Sequence, residues 1–180
     1  MTNRKKFDII VSMFIKPRKR QKDVVGSTEY VSVNGVKNIP AKIDTGADSS
    51  AIWASHLNVE KDGTLKFMLF DEGSKFFSGE TISRKDYRVK IVRSSNGDEE
   101  IRYRVELPLE LNGHKIRAMF TLADRSKNNF PILIGRKTLK NKFLVDVSKM
   151  SVEKKSNPKT PKLNAELEKN PYEFHQKYVK

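Results

Sequence analysis

The chain of 180 residues contains no cysteine, so it cannot form a disulfide, a thiolate metal site or a cysteine nucleophile. Histidine is scarce: His56, His114 and His175 lie far apart, and the chain has no His-Glu-x-x-His pattern for zinc. It also lacks the glycine-rich Lys-Ser/Thr loop that binds ATP phosphates. The sequence therefore predicts neither a metal ion nor ATP, and we expect no cofactor.

Long apolar runs are absent as well. The run FDIIVSMFI (residues 7–15) is too short to cross a bilayer. It follows a basic start, as in a signal peptide, but Asp8 interrupts it, and KPRKRQK follows in place of a small-residue cleavage site. We expect a soluble, cytoplasmic protein that has no membrane partner.

The positive charge is unevenly distributed along the chain. The formal net charge is +14, but residues 1–22 hold eight Lys/Arg and one acid, and residues 149–180 hold eight Lys and four Glu. The residues between them hold 20 basic and 17 acidic residues. These shifts predict a basic N-terminal arm (1–22), a folded domain (23–148) and a basic, largely flexible C-terminal tail (149–180). Because the charge lies in the tails, nucleic acid is not the expected partner.

The part between the two arms alternates apolar and polar residues, as β-strands do. Asn-Gly dipeptides at 34–35, 96–97 and 112–113 separate such stretches, and Asn-Gly is the strongest short signal of a two-residue hairpin turn. Only RKTLKNKF, after Gly135, predicts a helix, and a short one. The sequence thus predicts an all-β domain, a small closed barrel with one short C-terminal helix.

The stretch PAKIDTGADSSAIW (residues 40–53) places Asp44 on a Thr-Gly-Ala turn directly after an apolar strand. Asp, Thr and Gly are ordinary turn residues, each for a backbone reason of its own. The alternative interpretation is that Asp44 is one half of an acid–base pair. The loop alone does not decide between the two.

A second stretch favours the acid–base interpretation. In NNFPILIGRKTLKNKFLVDV, residues 132–134 are apolar on both faces, which is typical of a strand buried inside a domain. The run ends at Gly135, where the missing side chain permits the close approach of another backbone. Arg136 then begins the predicted helix.

Together, IDTGADSSAI and PILIGRKTL resemble the retropepsin aspartic proteases, in which an Asp-Thr-Gly loop is backed by an apolar strand that ends Ile-Gly-Arg before a helix. Within that superfamily, GVKNIPAKIDTGADSSAIWA and GRKTLKNKFLVDVSK are closer to a prokaryotic group labelled ATP-dependent zinc proteases and associated with glutamate ligases of the ATP-grasp type. The resemblance covers roughly residues 24–148 and implies the retropepsin fold. This chain has Asp48-Ser49 where that group more often has Arg-Thr.

The resemblance implies an aspartic endopeptidase with Asp44 as the catalytic residue. Thr45 would hydrogen-bond across to a partner loop, Gly46 would leave room for the substrate backbone, and Ala47 would complete the loop. Two carboxylates at close range share one proton, so one acts as base toward water and the other as acid toward the carbonyl oxygen. Since the chain has one Asp-Thr-Gly, the resemblance implies a homodimer with its site on the two-fold axis.

Further residues are expected to support this site. The resemblance implies a bidentate, partly buried ion pair between Asp48 and Arg136 beside the loop. It also implies a strand behind the loop that ends at Ile134 and Gly135. Asp146, in LVDVSK, lacks a Thr-Gly turn and is not expected to be the second acid.

A retropepsin also needs a flap, a hairpin that covers the substrate. The hairpin from Lys85 to Arg104 is our candidate, and the open alternative is that it is an ordinary hairpin of the barrel. The rival is DEGSKFFSGE (residues 71–80), because it carries two glycines and two phenylalanines that the sequence suggests are exposed. The association with glutamate ligases implies acidic or glutamate-rich peptides as substrates.

Two other functions stay open. One is a retropepsin-fold binding or dimerisation module with little catalysis, although an enzyme that has lost its activity need not retain Asp44, Thr45 and Gly46. The other is a basic nucleic-acid-binding protein, whose affinity would fall steeply with salt. The position of the charge in the tails argues against it.

Overall fold

Eleven strands and three helices form the regular structure of residues 22–93, 99–153 and 159–179, which are the residues that the computed structural model describes. The predicted N-terminal arm, apart from Lys22, lies outside them. The strands are β1 (Asp23–Val25), β2 (Thr28–Val33), β3 (Val36–Asp44), β4 (Ser50–Val59), β5 (Leu65–Leu69), β6 (Thr81–Arg84), β7 (Arg88–Arg93), β8 (Glu99–Leu111), β9 (His114–Ala123), β10 (Ile132–Gly135) and β11 (Phe143–Val145). The helices are α1 (Arg136–Leu139), α2 (Lys159–Lys169) and α3 (Pro171–Tyr178).

Asn-Gly turns join β2 to β3 and β8 to β9, as the sequence predicts. Asn34 and Gly35 have φ of 49° and 87°, and Asn112 and Gly113 have φ of 48° and 74°. Positive φ at both central residues defines a type I′ turn, whose twist matches that of the flanking strands. These two hairpin predictions are confirmed, while the third Asn-Gly, at 96–97, lies outside the described residues.

Six of the strands close into a barrel. Their hydrogen-bonded order is β10-β3-β2-β8-β9-β4, and β4 pairs with β10 again, which closes the ring. β5 and β6 extend the sheet from β4, while β7 pairs with β8. β10 is parallel to β3 on one side and antiparallel to β4 on the other, so Ile132 and Ile134 are fully buried. The predicted all-β closed barrel is confirmed.

The barrel is filled by side chains from alternate strand positions. On β8 and β9, Leu107 lies opposite Ala118 and Leu109 lies opposite Ile116. Removal of such apolar surface from water is the main favourable term in folding, at about 1.5–3 kcal/mol for each large side chain. The largest fully buried side chains are Phe67, Phe70, Phe120, Ile39, Ile52, Leu65, Leu107, Leu109, Leu111, Leu122, Ile132 and Ile134.

The two ends of the barrel's chain are tied together. β1 and β11 form a separate, parallel two-stranded sheet in which Val25 lies opposite Val145. Just beyond β1, the N–H of Ser27 donates to the carbonyl of Lys149 at 2.7 Å. Gly26 lies so close to Lys149 that a Cβ on it would be 2.5 Å from the same carbonyl oxygen. The backbone contact therefore requires glycine at this position.

The predicted C-terminal tail contains α2 and α3. Asn170 caps α3, because its side chain accepts a hydrogen bond from the N–H of Glu173 at 3.2 Å. The helices contact each other through Glu166, which accepts from Lys177 at 2.7 Å and from the Tyr178 hydroxyl at 3.0 Å. No residue of either helix is buried. In the part of the chain that the structure describes, no helix has both the length and the apolar character needed to cross a membrane.

Candidate active site

Asp44 is the last residue of β3, and the loop that follows orients its carboxylate. The backbone N–H groups of Gly46 and Ala47 donate to its Oδ1 at 3.1 and 3.2 Å. Such a turn, in which an aspartate binds the backbone two residues on, restricts the side chain. The side chain keeps 24% of its surface exposed, and Thr45 and Gly46 are exposed as well. The carboxylate is thus fixed in direction but accessible from outside the barrel.

Two backbone hydrogen bonds fasten this loop to the start of α1. The N–H of Arg136 donates to the carbonyl of Ala47 at 2.9 Å, and the N–H of Lys137 donates to the carbonyl of Asp48 at 3.2 Å. They use N–H groups of the first helical turn, which have no partner inside a helix. The helix therefore holds the loop through main-chain groups, whatever the side chains do.

Gly135 is required because the loop backbone passes directly over it. Ile134 and Gly135 lie beside Ile43 and Asp44 in the parallel pairing of β10 with β3. A Cβ at position 135 would lie 2.5 Å from the carbonyl carbon of Ser49 and 2.6 Å from its oxygen. The φ of Gly135 is −84°, which any residue adopts. Lack of space, and not backbone conformation, explains this glycine.

A buried pair of hydroxyl groups joins β4 to α1, and the sequence analysis did not identify it. The Oγ of Ser50 and the Oγ1 of Thr138 lie 2.8 Å apart, and the N–H of Gly135 donates to the Ser50 hydroxyl at 3.1 Å. Buried polar groups of this kind need partners, and Ser50 serves as the partner of both Thr138 and the N–H of Gly135. Serine and threonine 88 positions apart carry no local signal of such a contact.

Asp48 has three basic neighbours, and Arg136 is the most distant of them. Its Oδ2 lies 2.8 Å from the Lys137 ammonium and 3.5 Å from that of Lys90, whereas its Oδ1 lies 3.8 Å from Arg136. The contact with Arg136 is single, and the Arg136 side chain is 60% exposed, so the bidentate, partly buried geometry implied by the resemblance is absent. The hydrogen bond from Lys137 is the main cause that lowers the pKa of Asp48 below its ordinary value.

Lys90 connects the β7–β8 hairpin, which is the flap candidate, to the active-site loop. Its ammonium donates to the hydroxyl of Ser49 at 2.6 Å. Lys90 lies opposite Arg102, and Arg88 lies opposite Arg104. Because directly opposed residues share a face of the sheet, these four basic residues lie on one face of the hairpin. The sequence analysis missed this basic face, although basic residues two positions apart on both strands are a readable signal.

The other face of the same hairpin carries exposed apolar side chains, with the ion pair of Arg93 and Glu99 at its end. Val89, Ile91 and Ile101 keep 62%, 61% and 71% of their surfaces exposed. Of the expected tip, residues 94–99, only Glu99 lies within the described residues. The hairpin therefore presents basic side chains toward the loop and apolar side chains away from it.

The rival flap segment is packed against the barrel. Phe76 and Phe77, which the sequence suggests are exposed, contact the hydrophobic core. The ring of Phe76 lies 5.5 Å from that of Phe70, and the ring of Trp53 lies 6.1 Å from Phe70 in a T-shaped arrangement. The expectation of exposed phenylalanines is wrong because these rings extend the core, and the β7–β8 hairpin is the better flap candidate.

Two further cations lie near Asp44, and neither was identified from the sequence. The Lys42 ammonium is 3.9 Å from its Oδ2. Arg125 is half-buried and donates from Nε to the carbonyl of Phe130 at 3.0 Å. Burial lowers the pKa of Arg125, and the charge of Arg102 lowers it further, whereas the charge of Asp44 raises it. The charges of Arg125, Arg102 and Asp44 are therefore close enough to interact.

Asp146 has a local role. Its Oδ1 accepts from the N–H and the hydroxyl of Ser148 at 3.1 and 2.6 Å, in the turn after β11. Its carboxylate thus stabilises that turn.

His114 pairs with Asp23 of β1. Among the described residues, no group of three or more His, Asp or Glu side chains could hold a metal ion.

A comparison with protein families finds a match that covers both the barrel and the candidate active site. The family model for RimB-like proteins, described as retropepsin-like aspartic endopeptidase RimB, matches residues 24–156. The chain belongs to the RimB-like family. The region shared with the family contains the Asp44 loop, the β10–α1 unit and the β7–β8 hairpin, so all parts of the candidate site lie within it.

Longer proteins contain a region similar to this RimB-like chain. The chain is 32% identical over 132 residues to a "Probable alpha-L-glutamate ligase" of Shewanella halifaxensis, which covers 71% of this chain and 29% of that protein. It is 28% identical over 131 residues to a protein of the same name from Desulfotalea psychrophila, with coverage of 69% and 28%. The chain therefore spans less than a third of the length of these relatives.

A solved structure has a similar fold. The crystal structure of Lpg0085 from Legionella pneumophila, a protein with unknown function (DUF785), matches with a TM-score of 0.53 and 22% identity. The match covers 72% of this chain and 97% of that one. At this identity the likeness concerns the fold of the RimB-like barrel alone.

Proposed function

We propose that this RimB-like chain is an aspartic endopeptidase that acts as a homodimer, with a water molecule activated between two Asp44 carboxylates. The observation that carries the proposal is the Asp44 loop, an accessible carboxylate oriented by two backbone N–H groups. The ionised carboxylate takes a proton from water, and the protonated one gives its proton to the carbonyl oxygen of the peptide bond. The water oxygen bonds to the carbonyl carbon, and the C–N bond breaks when the amine is protonated.

The dimer is required because one chain supplies one Asp-Thr-Gly loop. The candidate dimer surface is the β1–β11 sheet. Val24 and Leu144 are paired in this sheet and exposed, and Val147 and Met150 add exposed apolar surface after β11. Contiguous exposed apolar side chains favour burial against a partner. A groove of about 580 Å³ extends from β11 to Thr45, so the candidate dimer surface is continuous with the active-site loop.

The basic surroundings of Asp44 favour an acidic peptide as substrate. Lys42, Lys90 and Arg125 bring positive charge to the loop or its immediate neighbours. Charge complementarity of this kind selects partners and speeds their encounter more than it raises affinity. The relatives named glutamate ligase are consistent with a glutamate-rich substrate.

A mixing experiment tests the proposal. Cleavage of a glutamate-rich peptide, followed by mass spectrometry, should increase per chain with protein concentration and reach a plateau. An excess of Asp44→Asn should inhibit the wild-type chain, because each mixed dimer holds one competent carboxylate. The matched control is an excess of Asp146→Asn, which should not inhibit. Full activity per chain at concentrations where sedimentation detects only monomers would contradict the dimer.

A further inference from the structure

A small cavity lies on the outer surface of β8 and β9, next to α1 and the active-site loop. Its volume is about 130 Å³. Four basic residues contribute to its lining, no acidic residue of the described chain does, and the polar lining residues are Ser49, Arg104, Arg117, Lys137, Thr138 and Lys142. The composition of this lining suits an anion.

Arg104 is the unusual member of this lining. Its Nε is buried and has no hydrogen-bond partner, and within the described residues no other buried side-chain nitrogen or oxygen lacks one. On β8, Arg104 precedes the core residue Val105, and it pairs with Thr121 of β9. The sheet therefore holds its backbone in place. A buried N–H without a partner costs free energy, and in native proteins such groups nearly always bind protein, water or a ligand. Arg104 therefore lines the cavity and carries a donor for which the described chain supplies no acceptor.

The charges around the cavity are only half compensated. Lys137 and Arg117 pair with nearby carboxylates at 2.8 and 2.5 Å. Arg104 and Lys142 have no side-chain ion pair or hydrogen bond with any other residue in the described ranges. Two positive charges thus remain, which a phosphate dianion or a pair of carboxylates would balance.

We infer that this cavity binds a compact oxyanion, a carboxylate or a phosphate group, with Arg104 as its main ligand. The planar guanidinium of Arg104 presents paired N–H groups that match two oxygens of such an anion. Lys142 adds a positive charge on a flexible side chain that can approach the anion from more than one direction. A water molecule takes up about 30 Å³ of the liquid, so the cavity has room for one such group and not for a nucleotide. The cavity shares Ser49 and Lys137 with the surroundings of the active-site loop, but the inference does not rest on the Asp44 chemistry.

The test measures melting temperature in the Asp44→Asn background, so that no peptide is cleaved and a failure of the proposed activity cannot affect the result. The probes are inorganic phosphate and a tetraglutamate peptide, each compared with chloride at equal ionic strength. A ligand that binds only the folded state raises the melting temperature in a saturable way. We expect at least one probe to do so. Arg104→Met should weaken the apparent affinity at least tenfold and should melt no lower than its parent in chloride, since it removes an unpartnered donor.

The control is Arg84→Met, which replaces an arginine of β6 outside both the hairpin and the cavity lining, and should keep the response. A response to phosphate assigns the site to a free anion. A response to tetraglutamate alone, if Arg104→Met weakens it, assigns the site to an acidic side chain of a polypeptide. The inference is overturned if neither probe acts beyond chloride, or if Arg104→Met responds as its parent does.

Discussion

The active-site loop and the β7–β8 hairpin lie side by side, but they are held in different ways. The loop is fixed by main-chain hydrogen bonds to α1 and by the close contact of Gly135 with Ser49. In the described residues, β7 pairs with β8 alone and reaches the loop through the side chain of Lys90. Backbone contacts therefore determine the orientation of the Asp44 carboxylate, whereas the groups suited to select a substrate are side chains of the edge strand β7. Such edges are commonly protected by charged residues.

The largest expected effect comes from the loop itself. Asp44→Asn should reduce peptide cleavage by several orders of magnitude, because the pair loses the group that is alternately charged and protonated. The rate for the wild-type chain should be bell-shaped in pH, since one carboxyl must be ionised and the other protonated. Mass spectrometry of peptide products gives both results. Asp146→Asn is the matched carboxylate control, and an equal loss in that variant, with the dimer intact by sedimentation, would place the chemistry elsewhere.

A second way to break the loop is to fill the space at Gly135. Gly135→Ala should lower the free energy of unfolding by about 1–3 kcal/mol or more, because its Cβ collides with backbone and no side chain can move aside. Gly73→Ala is the control, since a Cβ there meets nothing within 4 Å. Chemical denaturation measures both. Equal stability of the two variants would show that the loop can shift, contrary to the rigid attachment described here.

The hairpin should respond differently. Lys90→Met should raise KM for a glutamate-rich peptide by up to about tenfold, equivalent to about 1.4 kcal/mol, and leave kcat nearly unchanged. The reason is that Lys90 supplies charge near the loop but no group to the reaction. Lys85→Met is the control, because Lys85 is exposed and pairs with Asp62, away from the loop. A fall in kcat without a change in KM would assign Lys90 to the catalytic geometry instead.

The smallest effect concerns the contact of Lys137 with Asp48. The pKa of Asp48 is lowered in the folded chain, mainly by the Lys137 hydrogen bond, so this contact stabilises the fold above the ordinary pKa of 3.8 and is lost as pH falls through the lowered value. Lys137→Met should therefore melt slightly lower than the wild type at neutral pH. The difference should close as pH falls below 3.8 and through the lowered pKa of Asp48. Lys140→Met, at the exposed end of the same helix, should show no such closure.

Local patterns predicted the features that depend on neighbouring residues. The Asn-Gly hairpins and the buried run before Gly135 were readable because turn chemistry and apolar continuity act over a few positions. The contact of Lys90 with Ser49 was not, since 41 positions separate them and only the register of the hairpin brings them together. The expected contact of Asp48 with Arg136 is present at 3.8 Å, but α1 brings Lys137 closer to the carboxylate, at 2.8 Å. Which side chain of a helical turn faces a loop depends on the packing of that turn.

The pairing of β1 with β11 has a mechanical consequence. Because the two strands are parallel, a force that pulls the two ends of the barrel's chain apart acts along both strands in opposite directions. The hydrogen bonds between them are then loaded together in shear and do not open one after another. The bond from Ser27 to Lys149 adds resistance at the same place. A force applied at α3 would therefore load the β1–β11 sheet before it reached the barrel. The candidate dimer surface thus also protects the active-site loop against mechanical unfolding.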